Sequence, residues 1–294
     1  MSTFDRSIPF VETHHHLWEL DRFHYEWLDD PGRAEDTAYI GDYRMLRTDW
    51  GPARLFREFY GQNVTKTVHV EADMTGDRVA ETAWLQAVNE AHGMPNAIVV
   101  RCDLDRPDAA EQLDAHLAAS PLVRGVRMHH LPDDGSAAAD AGLAALGQRD
   151  MSFDLNPPEG RLDQGLALAR RFGGLQFVLG HAGMPPVGDA DGVAAWKGQL
   201  TELAAADNVA CKISGMGMSD HDWTADSIRD CVLHCIDAFG TERSMFGTNW
   251  PVDILYATFF EQVDAYRAIL ADAGFSTDEQ HALLHGNAER LYRI

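Results

Sequence analysis

The segment VETHHHLW, residues 11 to 18, places three histidines in a row, and two of them have the spacing of a converging pair. On a strand, His14 and His16 leave the same face, whereas His15 points to the other side. Another histidine, His181, follows a later apolar run. Together, His14, His16 and His181 could hold one Zn²⁺ or a similar divalent ion with an open position for water. The alternative for any one of them alone is a buried, hydrogen-bonded imidazole of the core.

The elements that must position these histidines alternate along the chain. Short β-branched runs are each followed by a turn and a longer amphipathic stretch, which predicts parallel βαβ units. Eight such units with apolar strands favour a closed (β/α)₈ TIM barrel over an open doubly wound sheet. No Gly-x-Gly-x-x-Gly follows the first strand, which argues against dinucleotide binding. We expect strands at 10–13, 66–71, 97–102, 125–129, 151–155, 176–179, 209–213 and 244–247, with helices near 77–92, 106–118, 137–148, 161–172, 190–206, 225–239 and 255–273.

No linker or low-complexity segment divides residues 1–294, so we expect a single domain. The longest irregular stretch, from about residue 20 to about residue 65, is an insertion after the first strand. Because it is rich in aromatic residues, we expect it to pack as a lid or side wall over the barrel mouth. The alternative is an insertion that closes the other end of the barrel. Its aromatic residues are Trp27, Tyr39, Tyr43, Trp50, Phe56, Phe59 and Tyr60.

Composition limits the partners of this chain. Acidic residues outnumber basic ones by 46 to 24, and the formal net charge of −22 argues against nucleic acid or an anionic membrane as a partner. An anionic substrate would need local basic side chains. With no apparent signal peptide or long apolar run, we expect a cytoplasmic protein that acts on a small molecule. Whether it forms a homo-oligomer cannot be read from the sequence.

Polar residues cluster where the expected strands end, which is where a barrel of this type carries its active site. Core packing alone would place apolar residues at these points. Besides the three histidines, the strand ends supply His69, Glu71, Cys102, Asp103, Arg127, His129, His130, Asp154, Asn156, Lys212, Ser214 and Asn249, with Trp250 and Asp253 just after. The sequence therefore predicts a functional site at this end.

Several segments, in order along the chain, resemble the amidohydrolase-related lactonases. That group includes L-fuconolactone, L-rhamnonolactone and pyrone-dicarboxylate lactonases, and it is more distantly related to amino-carboxymuconate semialdehyde decarboxylases. The resemblance implies a TIM barrel that hydrolyses lactones, with His14, His16 and His181 around the reacting carbonyl, directly or through a metal. The matching segments are THHHLW at 13–18, WL at 27–28, VRGVR at 123–127, GHAGMP at 180–185, CKISG at 211–215, MFGTNWPVD at 245–253 and GNAERLYRI at 286–294.

The resemblance also implies how the substrate is held. Arg127 matches the arginine of the family's fourth strand and is suited to grip a carboxylate with two parallel hydrogen bonds. Its alternative is a salt bridge in the barrel rim. Lys212 falls in the segment where a cation orients the substrate or stabilises an oxyanion. We also assign His69, Asp154 and Trp250 to substrate binding, and the Trp250 ring would suit a sugar face or an aromatic ring.

Two departures from the family's usual pattern affect the chemistry. Gly180 precedes His181 where the family usually has an aspartate, and Asn249 ends the eighth strand in place of another. An amide can coordinate a metal or hold a water molecule, but it does not take up a proton at neutral pH. Asp253 is an alternative carboxylate if the turn at Pro251 swings it inward. Asp154, Glu71 and a histidine are the other candidates for the general base.

The leading interpretation is therefore a hydrolase of a lactone of a small polar acid, derived from a sugar or an aromatic compound. Water would attack a carbonyl held by the histidine cluster, with Asn249 and Asp253 in the catalytic set. A second interpretation is non-oxidative decarboxylation of an aromatic or muconate-like acid, and a third is a binding protein without turnover. The expected cofactor is a divalent metal, with Zn²⁺ the best match. Because its ligands would be neutral, we expect activity not to require it strictly.

Overall fold

The computed structural model describes residues 4–29, 40–132 and 135–294. Within these ranges eight strands lie side by side in chain order, and each neighbouring pair is parallel. Each coincides with one of the eight runs expected from the sequence, with ends that differ by one or two residues. The strands are β1 Phe10–His15, β2 Val64–Val70, β3 Ala97–Arg101, β4 Val123–Arg127, β5 Ser152–Leu155, β6 Phe177–Leu179, β7 Val209–Ile213 and β8 Ser244–Phe246.

The two ends of this sheet meet between β1 and the residues that follow β8. His15 and Trp250 form a parallel bridge, and the backbone nitrogen of His16 donates to the carbonyl of Trp250 at 2.7 Å. Below them, Oε1 of Glu12 accepts from the backbone nitrogens of His14 at 2.8 Å and Thr248 at 2.9 Å. These contacts close the sheet, so the predicted (β/α)₈ barrel is confirmed.

The helices that surround the barrel agree with the predicted ones except at some ends. The last long helix was expected from residue 255, but Val252–Leu255 form a 3₁₀ turn and Thr258 caps the helix that follows. The Thr258 side chain accepts from the backbone nitrogen of Glu261, which fixes the start of the helix. The helices are α1 Glu26–Asp29, α2 Pro52–Glu58, α3 Arg78–His92, α4 Ala109–Ala119, α5 Ala137–Gln148, α6 Leu162–Arg171, α7 Ala190–Ala204, α8 Met216–Ser219, α9 Ala225–Phe239, α10 Phe259–Asp272, α11 Thr277–His281 and α12 Asn287–Tyr292, with a π-helical turn at Ala282–Gly286.

The amino ends of the strands are covered by the C-terminal helix α12. Its residues Ala288 and Tyr292 pack against a cluster of small apolar side chains inside the barrel, such as Val99 and Val178. A larger apolar layer fills the space between the strands and the outer helices. Because one end of the barrel is filled in this way, the carboxyl ends of the strands remain available for a site.

The aromatic insertion is divided between two places. Trp27 and Tyr43 stand over the carboxyl ends of the strands, as expected of a lid or side wall. By contrast, Phe59 packs on Phe259 of α10, and Tyr60 is 90% exposed. Tyr39 lies outside the described residues, so its expected part in the lid stays a prediction.

No helix within the described ranges is both long and apolar enough to cross a membrane.

Glu12 is buried where β1 meets the segment after β8, and its burial leads to a stability prediction for Glu12→Gln. Burial raises the pKa of the Glu12 carboxyl from 4.5 to about 7. The folded state holds this proton more tightly than the unfolded state, so wild type loses stability as the pH rises through this range. Glutamine keeps an oxygen acceptor for the two backbone nitrogens and has no such proton. We therefore expect the variant to gain about 3 kcal/mol relative to wild type between about pH 4.5 and about pH 7.

Urea unfolding of both proteins at the two ends of this range measures the difference. The matched control is Glu12→Leu, which removes the acceptor and leaves two buried N–H groups unpaired. Relative to Glu12→Gln, it should cost about 1–3 kcal/mol for each group at every pH. A Glu12→Gln protein whose stability runs parallel to that of wild type across the range would contradict the assignment.

Candidate active site

A cavity of about 960 Å³ opens at the carboxyl ends of the strands. Four of the predicted catalytic and binding residues line it: His16, Arg127, His181 and Asn249. The remaining wall comes from the aromatic insertion and from the loops after β2, β4, β5 and β6. Its other lining residues include Trp27, Ile40, Tyr43, Asp73, His129, His130, Leu131, Asn156, Pro157, Pro158, Glu159, Gln164, Met184 and Met218.

The three predicted imidazoles come together at the base of this cavity, which His16 and His181 line and where the buried ring of His14 packs against both. The ring centroids of His14 and His16 are 5.1 Å apart, and those of His14 and His181 are 4.4 Å apart. His15 points to the opposite side of β1, where its ring lies 5.5 Å from that of His69. The alternation of side chains along a strand therefore separates the middle histidine from its two neighbours, as the spacing predicts.

Hydrogen bonds orient two of the three rings. Nδ1 of His16 contacts the carbonyl of Val70 at 2.8 Å, and Nδ1 of His181 contacts Oγ of Ser214 at 3.0 Å. A carbonyl only accepts, so the proton of neutral His16 is on Nδ1, and Nε2 carries a lone pair. Neither ring nitrogen of His14 has a hydrogen-bond partner among the residues that the structure describes.

Burial keeps all three imidazoles uncharged. It lowers the pKa of His16 to about 4, with a further contribution from the positive charge of Arg127. Burial likewise places the pKa values of His14 and His181 well below the usual range of histidine. Neutral imidazoles are the form that binds a metal ion. At neutral pH the cluster therefore acts through its lone pairs rather than as a group of cations.

Close packing against Asn156 favours glycine at position 180, just before His181. A Cβ atom at position 180 would lie 2.3 Å from Oδ1 of Asn156, so the Asn156 side chain would have to move. His181 and Ala182 then adopt φ values of 50° and 53°. Such left-handed conformations are costly for residues other than glycine and are found most often at functional sites. The chain therefore accepts a costly backbone conformation at the point where it places His181 in the cavity.

Arg127 has a partner inside the protein. Its Nε lies 2.6 Å from Oε1 of Glu71, and its Nη2 donates to the carbonyl of Glu71 at 2.6 Å. His129 adds a contact from Nε2 to the same carboxylate oxygen at 3.1 Å. Although burial alone would raise it, Arg127 and His129 hold the pKa of Glu71 well below its usual range. Arg127 thus reaches the cavity as half of an ion pair.

Glu71, Asp73 and His129 form a second candidate cation group, with ligand atoms within 4.8 Å of one another. Sequence reasoning named Glu71 and His129 separately and missed Asp73, although the spacing of Glu71 and Asp73 at the end of β2 was a usable signal. Asp73 pairs with Arg101 at 3.1 Å, and Glu71 pairs with Arg127. A cation bound here would compete with both arginines for the carboxylates.

Four of the predicted binding residues lie behind the cavity wall. His69 accepts from the backbone nitrogen of Leu17 at 3.0 Å. Lys212 and Asp154 form an ion pair at 2.8 Å, with both side chains buried. The Trp250 ring packs edge-on against other aromatic rings. Direct contact of these residues with a substrate stays a prediction, and their position in this structure suits support of the wall.

Asn249 and Asp253 lie at different depths below the cavity surface. Asn249 lines the cavity with a left-handed φ of 59°, whereas Asp253 is fully buried beneath it. Nδ2 of Asn249 donates to Oδ1 of Asp253 at 2.8 Å. Burial raises the pKa of Asp253 to about 7. The turn at Pro251 therefore places this carboxylate behind the amide rather than beside it, and its catalytic role stays a prediction.

Residues 11–294 match the family model described as amidohydrolase. The uncharacterised protein y4mH of Sinorhizobium fredii is 35% identical over 301 residues, which cover 98% of this chain and 99% of that protein. An L-fucono-1,5-lactonase of Burkholderia multivorans is 30% identical over 302 residues, covering 97% of this chain and 96% of that one.

A crystal structure of an amidohydrolase from Burkholderia multivorans with bound Zn has the same architecture. It covers 97% of this chain and 99% of its own, with a TM-score of 0.81 and 29% sequence identity. The family model extends over nearly the whole sequence, and the similarity to both relatives runs end to end. This chain belongs to the amidohydrolase family.

Proposed function

We propose that this amidohydrolase hydrolyses a lactone, or a related cyclic ester, of a small polar acid. The observation that carries the proposal is the convergence of His14, His16 and His181 as neutral imidazoles at the base of one cavity. Its supports are the lactonase name of one relative and the bound Zn of another. Whether the acid derives from a sugar or from an aromatic compound is left to a substrate panel.

The residues present fit a divalent metal ion. His14 has two buried ring nitrogens without a hydrogen-bond partner among the described residues, and His16 directs a lone pair from Nε2. His14, His16 and His181 would hold the ion. When bound, such an ion polarises the lactone carbonyl and lowers the pKa of a water molecule. The three histidines supply no negative charge, so we expect weaker binding than a carboxylate-containing site would give.

The remaining wall residues would bind and orient the substrate. Arg127 offers hydrogen-bond donors next to the imidazoles, and Asn156 and Gln164 offer amide groups suited to hydroxyls or ring oxygens. The flat faces of Trp27 and Pro157 would cover the apolar side of a ring. These contacts would place the carbonyl over the histidine cluster and displace water from the cavity.

Proton uptake from the attacking water requires a group other than Asn249. His129 lines the cavity, and Glu71 holds its Nε2 at 3.1 Å, which leaves Nδ1 free to accept a proton in the neutral ring. The Asp253 carboxylate, behind Asn249, is the other candidate. Decarboxylation of an aromatic or muconate-like acid stays an alternative, distinguished by the release of carbon dioxide instead of the ring-opened acid.

The first of three predictions that test the proposed function concerns the histidine cluster. On the best substrate from a panel of sugar and aromatic lactones, each of His14→Ala, His16→Ala and His181→Ala should lower kcat/KM by about 100-fold or more. The exposed variant His92→Ala serves as the matched control and should match wild type. Release of acid, followed with a pH indicator, measures the rate. Near wild-type turnover by a folded variant of any of the three would remove that residue from the mechanism.

A second prediction concerns Arg127 and the charge of the substrate. Arg127→Met should raise KM for acidic lactones by about tenfold, with a smaller effect on neutral ones, because it removes the donors of a carboxylate contact. The single variant also leaves Glu71 buried without its partner and should lose stability. The double variant Arg127→Met, Glu71→Gln removes both charges and restores the balance. If the double variant affects acidic and neutral lactones equally, Arg127 has a structural role only.

A third prediction concerns removal of the metal. Because the ion would be held through neutral ligands only, and the wall residues orient the substrate without it, we expect exhaustive chelation to lower activity without abolishing it. Dialysis against a chelator, an assay, and a second assay after addition of Zn²⁺ provide the measurement. Complete loss of activity that Zn²⁺ restores would show that the ion is essential.

A further inference from the structure

The Asn249 side chain is held in a single orientation. Its Nδ2 donates to Oδ1 of Asp253 at 2.8 Å and to Sδ of Met218 at 3.4 Å, so both amide hydrogens have acceptors. A carboxylate and a thioether accept hydrogen bonds and have none to give. Turning the amide over would set its oxygen against two acceptors. Oδ1 of Asn249 is therefore fixed on the side of the histidines.

That oxygen faces a second lone pair. Nε2 of His16 lies 3.4 Å from Oδ1 of Asn249. The Val70 carbonyl fixes the proton of neutral His16 on Nδ1, so the ring has no hydrogen to give on the side of Asn249. Two acceptors thus point at the same space, and each is locked by a partner on its far side. Such an arrangement needs an electrophile or a donor between them.

Asp253 is itself held by groups that only donate. Besides Asn249, its Oδ2 accepts from Nε2 of Gln262 at 2.6 Å and from the backbone nitrogen of Gly217 at 3.2 Å. These three donors fix the orientation of the fully buried carboxyl group. A carboxyl group held in one position therefore lies one side chain behind the cavity wall.

We propose that Oδ1 of Asn249 is a fourth ligand of a divalent cation, beside His14, His16 and His181, and that Asp253 is the positioning residue that aims this oxygen. Where a carboxylate would bind the ion directly, this chain binds it through a neutral amide and keeps the carboxylate one contact away. The inference shares its histidines with the proposed function, but cation affinity is measured without any substrate.

A double-mutant cycle on Zn²⁺ affinity tests the proposal. The four proteins are wild type, Asn249→Leu, Asp253→Asn and the double variant, titrated in competition with a chromophoric chelator. Asn249→Leu removes the oxygen, and Asp253→Asn replaces one acceptor oxygen of the carboxyl group that fixes it with a donor; each should weaken Zn²⁺ binding by about 10- to 100-fold. If Asp253 acts through Asn249, the double variant should bind within about twofold of Asn249→Leu.

Additive losses in the double variant would mean that Asp253 acts as a distant charge, and they would overturn its positioning role. Unchanged affinity in Asn249→Leu would overturn the ligand assignment. Thermal unfolding identifies variants that fail to fold, and Asp207→Asn, at an exposed position, controls for the loss of one carboxylate.

An exchange of the two side chains keeps the proposal testable if a single variant fails to fold. Asn249→Asp combined with Asp253→Asn preserves one amide facing one carboxylate but moves the charge to the cavity wall. This protein should bind Zn²⁺ about tenfold more tightly than wild type. Binding no tighter than that of wild type would overturn the proposal. If the affinities follow the expected pattern while no lactone is turned over, the function fails and the ligand assignment stands.

Discussion

The backbone hydrogen bond from the nitrogen of His16 to the carbonyl of Trp250, at 2.7 Å, joins the first strand of the barrel to the segment after the last. Glu12 strengthens the same seam through the backbone nitrogens of His14 and Thr248. Residues more than two hundred positions apart in the chain thereby become neighbours. Without this closure, the histidines of β1 and the amide of Asn249 would lie on opposite edges of an open sheet, and no common site would exist.

The closed barrel also buries ionic side chains near the site, and these side chains need partners. Although the chain carries a formal net charge of −22, two buried carboxylates near the site have buried cationic partners. Glu71 is paired with Arg127, and Asp154 with Lys212. Matched pairs avoid the large cost of an isolated charge in the interior. The imidazoles of the site are neutral, so their lone pairs are available to bind a cation.

Periodicity and the position of strand ends were enough to predict the barrel, its eight strands and the opposite directions of His14 and His15. These features follow from local geometry, since the alternation of side chains is set by the backbone. Contacts between side chains from distant parts of the chain do not follow from local backbone geometry. The pairing of Lys212 with Asp154 depends on side chains of β5 and β7 that meet inside the barrel although β6 separates their strands. The position of Asp253 behind Asn249 depends on the shape of a turn. Sequence position alone therefore placed all of these residues at one end of the barrel, without separating those of the cavity wall from those that support it.

The close approach of Gly180 to Asn156 has a consequence for redesign of this protein. A larger residue at position 180 would place its Cβ 2.3 Å from Oδ1 of Asn156, so the Asn156 side chain would have to move. The two positions are thus coupled by direct contact. The same coupling links the loop after β5, which forms one wall of the cavity, to the backbone that presents His181. Libraries that vary that loop to alter substrate preference should therefore vary positions 156 and 180 as a pair.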